Sequence, residues 1–134
     1  MAIEGLITVA SRHGPRETMD RLAAEVTTRG MAIFARIDHA AGAAAAGMAL
    51  RPTELLIFGN AKGGTPLMQA GQTIGIDLPL KALVWQDEAG ATWLSCYDPG
   101  WLAARHGLGA ATQKIVETLQ AALAAVTRTA ADPP

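Results

Sequence analysis

Hydrophobic positions along the chain follow two spacings, one typical of strands and one typical of helices. Short runs rich in branched aliphatic and aromatic side chains predict strands at residues 3–9, 31–37, 54–58, 81–87 and 91–97. The run at 54–58 is apolar almost without interruption, which predicts a central strand covered on both faces. The last two runs flank a short connection, which predicts a β-hairpin in the C-terminal half.

Two of the segments between these runs place apolar residues three and four positions apart, as on one core-facing side of a helix: Met19, Leu22, Ala23 and Val26, and Ile115, Leu119, Ala122, Leu123 and Val126. In the other segments capping residues, prolines and alanine content indicate helices. Together these signals predict helices at residues 15–29, 39–48, 67–70, 99–106 and 110–127. Strand and helix signals interleave early and the hairpin comes late. We therefore predict an α+β fold with a mixed or antiparallel sheet and with helices packed on it.

The length of 134 residues favours one compact domain, because a chain of this size buries roughly two thirds of the surface that it exposes when unfolded. We predict that residues 1–129 form this domain. Residues 130–134 show no apolar periodicity and end in two prolines, so we expect a frayed C-terminal tail.

Composition and charge argue against several classes of protein. Hydrophobic residues make up 50% of the chain and charged residues 17%, which is unlike a disordered sequence. The formal net charge is −1 and no cluster of Lys and Arg is present, so we expect no nucleic-acid partner. The longest uncharged run, residues 63–76, is too short for a membrane span and contains Pro66, so we expect no membrane partner either.

The redox and targeting signals are weak but agree with each other. Glu4 stands where a secretory signal would carry basic residues, and we expect the protein in the cytoplasm. The single cysteine, Cys96, suits a reducing compartment, and we expect a buried, unreactive thiol. The histidines, His13, His39 and His106, show no metal-ligand spacing, so we expect no metal and no cofactor.

The segment FGNAKGGTPLMQ, residues 58–69, runs from a predicted strand through glycines into a predicted helix. We expect Gly59 and Asn60 to turn the chain and Thr65 to cap the helix that follows. Free backbone N–H groups at a helix start favour an anion, and Lys62 would add a positive charge. Because the lysine precedes the glycine pair, this is not a P-loop. The alternative is that the glycines only form a sharp corner.

A second candidate position lies where the strand at 31–37 ends, at Asp38 and His39. Asp38 fits the role of helix cap, with His39 in the first turn and bonded locally. Alternatively, the imidazole of His39 acts as a general base, since its ordinary pKa lies close to neutral pH.

Several longer strings occur in a fixed order along the chain, namely FARIDHAAGA, LRPTELLIFGN, GTPLMQ, DLPLKALVW and ARHGL. Together they resemble the bacterial domain-of-unknown-function family 302, over residues 7–108. The resemblance implies a small α+β domain that pairs into homodimers. It implies no particular reaction and carries over no catalytic residues.

These observations predict a homodimeric module that binds a small anionic molecule. The predicted cleft is lined by His39, Arg51, Asn60, Lys62, Gly64 and Thr65. The alternative is an enzyme that acts on a small anionic metabolite, with His39 as general base and cationic side chains holding the substrate's charge. For the subunit contact we expect a contribution from Trp85, Trp93 and Trp101. The alanine run at 43–46 fits either such a contact or close packing in the core.

Overall fold

The computed structural model describes residues 2–132, which form one antiparallel sheet and five helices. The strands are β1 (Leu6–Ser11), β2 (Ala32–Asp38), β3 (Thr53–Gly59), β4 (Leu80–Gln86) and β5 (Thr92–Tyr97). The helices are α1 (Pro15–Thr28), α2 (His39–Ala45), α3 (Ala61–Ala70), α4 (Pro99–Arg105) and α5 (Gln113–Ala131). Short 3₁₀ turns at Gln72–Ile76 and Ala110–Thr112 precede β4 and α5.

The strand order is β1-β5-β4-β3-β2, and each neighbouring pair is antiparallel. This confirms the predicted α+β fold. The predicted hairpin is β4 and β5, and β4 also pairs with β3, so the hairpin lies in the same sheet as the central apolar strand.

One face of the sheet is covered by α1 and α5 and forms the main core. Of the predicted apolar stripe of α1, Met19, Leu22 and Val26 are fully buried there and Ala23 is partly buried. It packs with Leu56 and Phe58 of β3 and with the C-terminal half of α5. A smaller core, built around Leu67, Ile74, Leu102, Ala103 and Val116, joins α3 and α4 to the N-terminal half of α5.

The opposite face of the sheet is also apolar at its centre. It carries Leu55, Ile57, Leu83, Trp85 and Trp93, which all remain partly exposed. The prediction that the strand at 54–58 is covered on both faces is therefore wrong for this chain alone, since α1 and α5 pack only on the other side.

Helix α2 lies at the margin of the fold and has no buried residue. The alternative in which its alanine run packs into the core is therefore wrong. The strand that precedes it, β2, is an edge strand, and its Ile33, Phe34 and Ile37 are each at least 40% exposed.

The C-terminal boundary differs from the prediction. Helix α5 extends to Ala131, and both Ala130 and Ala131 are buried, so a frayed tail that begins at residue 130 is wrong. The main-chain carbonyl of Ala131 accepts a hydrogen bond from the Arg12 N–H at 2.9 Å, which fastens this end to the rest of the fold. Pro133 and Pro134 lie outside the described residues.

None of the helices within residues 2–132 combines the length and the apolar character that crossing a bilayer requires.

Candidate functional site

The residues of the predicted site fall into two groups that lie at opposite ends of β3. Asp38 pairs with Glu54 at one end, and Ala32 pairs with Gly59 at the other. Gly59 lies five positions after Glu54 along β3, which corresponds to roughly 17 Å at about 3.4 Å per residue. His39 follows Asp38 directly and therefore begins at the far end from Gly59.

The predicted gathering of six residues in one cleft is accordingly wrong. Neighbouring strands bring their C-terminal ends together only when they are parallel, and β2 and β3 are antiparallel. Arg51 precedes β3 and stays near the His39 end, where its Nε donates to the carbonyl of Gln86 at 3.3 Å. Asn60, Lys62, Gly64 and Thr65 follow β3 and do come together, around one cleft.

Helix α3 begins earlier than the sequence suggested. Its cap is Asn60, whose Oδ1 accepts a hydrogen bond from the Gly63 N–H at 2.8 Å, so the predicted role of Thr65 as the cap is wrong. Asparagine is at least as good a cap as threonine, and it comes first in the chain. The glycine pair and Pro66 therefore lie inside the helix, and Pro66 offers no N–H to the Lys62 carbonyl.

The glycines of this segment serve different purposes. Gly59 has a φ of 149°, which favours glycine, and it turns the chain out of β3 as expected. A Cβ at Gly63 would lie 3.0 Å from Leu119 Cδ2, so the missing side chain allows α3 to approach α5 closely. A Cβ at Gly64 would lie 3.8 Å from Leu78 Cδ1 and from Met68 Cε, which is ordinary contact. Gly64 thus leaves open space that a side chain would fill.

That space is a cleft with a volume of about 520 Å³, bounded by the end of β3, the start of α3, the turn before β4 and the exposed side of α5. Most of its lining is apolar. The apolar side chains include Met31, Phe34, Met68, Leu78, Pro79, Leu80, Ile115, Leu119 and Ala122. A volume of this size lies within the range of ordinary small-molecule sites.

The charged residues that line the cleft, Arg29 and Lys62, are both cationic. Arg29 is partly compensated by Glu25, with 3.3 Å between Nε and Oε1. In the described part of the chain Lys62 has no carboxylate within 4.0 Å, and no Asp or Glu lines the cleft. The cleft therefore presents positive charge above an apolar interior.

At the other end of β3 the cation is satisfied within the chain. Arg36 donates from Nε to Glu54 Oε2 at 2.7 Å and from an Nη to Asp20 Oδ1 at 2.8 Å. The hydrogen bond to Glu54, supported by the one to Asp20, raises the pKa of Arg36 above its usual value. His39 is exposed in the first turn of α2, where Asp38 caps the helix as predicted by accepting from the Ala41 N–H at 2.9 Å.

A cluster that the sequence reasoning missed lies around His106. Its Nε2 is 2.5 Å from Asp77 Oδ2, and its Nδ1 is 2.9 Å from Thr73 Oγ1. His106 is 33 positions from Thr73 and 29 from Asp77, and these two residues lie in and directly after an unpredicted 3₁₀ turn, so no spacing signal could have joined His106 to them. Within residues 2–132 no group of three or more metal-ligating side chains comes together.

Cys96 is buried at 5% exposure, which confirms that part of its prediction. Burial, and after it the nearby carboxylate of Asp98, raises the pKa of the thiol to about 11. A thiol with this pKa is almost entirely protonated at neutral pH and is a poor nucleophile.

Comparisons with known proteins agree with the fold. A family model described as "Domain of unknown function DUF302" matches residues 7–126. A solved structure, the uncharacterized conserved protein DUF302 from Bacillus stearothermophilus, superposes with a TM-score of 0.84 over 96% of this chain and 99% of that one. The sequence identity is 21%, so this likeness concerns the fold.

Two similar curated proteins carry the name of a channel. The fluoride-specific ion channel FluC 1 of Brucella suis is 50% identical over 127 residues, which cover 95% of this chain and 50% of that protein. The fluoride-specific ion channel FluC 2 of Brucella melitensis is also 50% identical, with 47% of its length covered. The chain thus spans about half the length of the curated relatives that it matches.

Proposed function

This chain belongs to the DUF302 family, and we propose that it is a homodimeric module that binds a small anionic molecule in the cleft beside α3. The observation that carries the proposal is the charge of the cleft. Its charged lining residues are cationic, and Lys62 has no carboxylate within 4.0 Å in residues 2–132.

Two further features support an anion at this place. The cleft includes the first residues of α3, Ala61 and Lys62, whose N–H groups precede the first helical hydrogen bond and therefore favour negative charge. The exposed hydroxyl of Thr65 offers a further donor. A helix start with one nearby cation should bind a bare anion only at about millimolar strength.

The enzymatic alternative receives no support from the placement of its base. His39 does not line this cleft, and the antiparallel pairing of β2 and β3 holds it at the opposite end of the sheet from Lys62.

The anion proposal is tested by ligand-induced stabilisation. We expect about 20 mM phosphate or acetate, at constant ionic strength, to raise the free energy of unfolding by about 2 kcal/mol if the dissociation constant is about 1 mM. Lys62→Ala should remove most of this gain, and Arg51→Ala should leave it unchanged. Fluoride belongs in the same series because of the names of the Brucella relatives. Equal stabilisation of all variants by every salt would contradict the proposal.

We propose that the second copy packs on the open face of the sheet. That face carries an apolar centre, including Leu55, Ile57 and Leu83, which α1 and α5 of the same chain do not cover. Trp85 and Trp93 stack on it with ring centroids 6.2 Å apart, and a second sheet of the same kind would bury both rings. Trp101 instead packs on Tyr97 and donates its indole N–H to Glu4.

Light scattering at tens of micromolar protein, roughly the range of ordinary dimers, tests this contact. The wild-type chain should have the mass of a dimer and Leu83→Glu that of a monomer. Ile76→Glu is the control, because Ile76 is 82% exposed in the 3₁₀ turn before β4 and is not part of the strands that form the open face. A monomeric wild-type chain, or dissociation by the control alone, would overturn the proposed dimer.

The cytoplasmic location stays a proposal as well, supported by the free thiol of Cys96. Fractionation of the source cells would test it, with recovery outside the cytoplasm as the contrary result.

A further inference from the structure

The polarity of the cleft changes from its rim to its interior. The polar lining residues, including Lys62, Thr65 and Thr118, are exposed. Most of the apolar lining residues are half-buried and Leu80 is only 5% exposed, whereas Phe34 is 58% exposed and belongs to the rim. A ligand that fits both zones must itself be polar at one end and apolar at the other.

Part of the apolar interior comes from the N-terminal half of α5, where the protein covers the apolar side of the helix only partly. On α5, Leu123 and Val126 are buried in the main core as the helical spacing predicts. The earlier members of the same stripe, Ile115, Leu119 and Ala122, are half-buried and line the cleft, and Ile115 and Leu119 also contact the core clusters on their other side. An amphipathic helix normally buries such a stripe against the protein. Here the remaining contact area is available to a ligand.

We propose that the ligand is a single-chain amphiphile, an unbranched alkyl carboxylate whose head group lies at Lys62 and whose tail lies along the α5 stripe. This inference rests on the proposed function and names the class of molecule that fills the site. The carboxylate matches Lys62, which has no carboxylate within 4.0 Å in residues 2–132, whereas Arg29 at the same rim is already paired with Glu25.

The side chains of the interior suit a flexible tail. Met31 and Met68 contribute unbranched thioethers, which adapt their shape to an irregular partner. The interior offers few polar side chains to satisfy a hydroxyl or an amide in the tail, and an unpaired polar group there would weaken binding. A sugar or a nucleotide is therefore a poor match, and a hydrocarbon chain is a good one.

The test is a series of acetate, butanoate, hexanoate and octanoate, measured by calorimetry on the wild-type protein below the micellar concentration of each acid. Affinity should rise roughly twofold to fourfold with every added methylene that leaves water. Octan-1-ol, which has the tail without the charge, should bind at least tenfold more weakly than octanoate. Equal affinity for octanol and octanoate would overturn the role of the head group.

A matched pair of glycine substitutions locates the site. Gly64→Leu places a side chain in the cleft and should weaken octanoate binding at least tenfold, whereas Gly42→Leu in α2, where nothing lies within 4 Å of an added Cβ, should have no effect. Circular dichroism shows that both variants fold, and Gly64→Ala provides a smaller obstruction if Gly64→Leu does not. Unchanged binding to folded Gly64→Leu would overturn the inference.

The chain-length series also separates this inference from the proposed function. If acetate and octanoate bind with the same affinity and both require Lys62, the proposal of an amphiphilic ligand is wrong and the proposal of an anion site is supported. If acetate, octanoate and phosphate all fail to bind, both proposals are wrong.

Discussion

The two ends of β3 carry similar charges in opposite circumstances. At the Thr53 end, Arg36 is held by Glu54 and Asp20, so the cation is already neutralised by the protein itself. At the Gly59 end, Lys62 stands over an apolar cleft without a carboxylate among the described residues. A positive side chain therefore indicates a ligand only where the fold has not already supplied its partner.

The helices next to the two ends of β3 also differ in how well they pack against the rest of the fold. Helix α3, which follows the Gly59 end of β3, buries Leu67 and belongs to a core cluster with α4 and α5. The helix that starts beside Thr53, α2, buries nothing. A binding site needs side chains that are held in place, and only the Gly59 end provides a supported helix.

The largest difference should appear in stability when β3 is truncated near each end. Phe58, next to Gly59, is fully buried, and Phe58→Ala should lower the free energy of unfolding by about 3–5 kcal/mol. Leu55 is half-buried on the open face of the single chain, and Leu55→Ala should lower the free energy of unfolding of the dissociated monomer by about 1–2 kcal/mol. Urea denaturation measures both. Equal costs would show that the two ends are packed alike.

Removing the helix caps sharpens the same contrast. Asn60→Ala deletes the cap of α3 and should cost about 1 kcal/mol of global stability. Asp38→Ala deletes the cap of α2 but should fray only that helix, because α2 contributes no buried side chain. Hydrogen exchange distinguishes local fraying from global loss. A larger global effect at Asp38 would contradict the account.

The two adjacent glycines of α3 should respond differently to alanine. Gly64→Ala has room for its methyl group and should stabilise the fold by roughly 0.5–1 kcal/mol, since alanine favours helix. Gly63→Ala meets Leu119 at 3.0 Å and should give less stability than Gly64→Ala. Thermal denaturation of the two variants measures which one is more stable. The reverse order would mean that Gly64, and not Gly63, is the close contact.

The smallest effect is expected for the ion pair at the Thr53 end. Arg36→Gln should cost about 0.5–1 kcal/mol, and less at high salt, because the pair lies near the surface. The same variant should bind acetate as the wild type does. A change in acetate affinity would connect the Thr53 end to the binding site.

The architecture was largely predictable because it depends on local spacing. The α1 stripe, the hairpin and the cap at Asp38 each follow from residues close together in sequence, and all are confirmed. The start of α3 was predicted wrongly because Asn60 and Thr65 are both possible caps and sequence alone does not choose between them. The reason for a glycine at position 63 could not be predicted either, because it is the close contact with Leu119 on α5, which is far away in sequence.

The composition of the site was less predictable, because it depends on strand direction. Sequence order indicated that β2 and β3 are neighbours, which is correct, but it did not say that they run antiparallel. That one fact separates His39 and Arg51 from Lys62. In the cleft, apolar side chains of α5 take the place that was predicted for His39 and Arg51. No local pattern in the sequence connects α5 with the glycines of α3.

Amide chemical-shift mapping during a titration with acetate shows whether the Gly59 end of β3 is the binding end. We expect the amides of residues 61–65 to shift with one common dissociation constant of about 1 mM. The amides of α2 and of Arg51 should stay in place. Saturable shifts at His39 and Arg51, with the start of α3 unmoved, would contradict the claim.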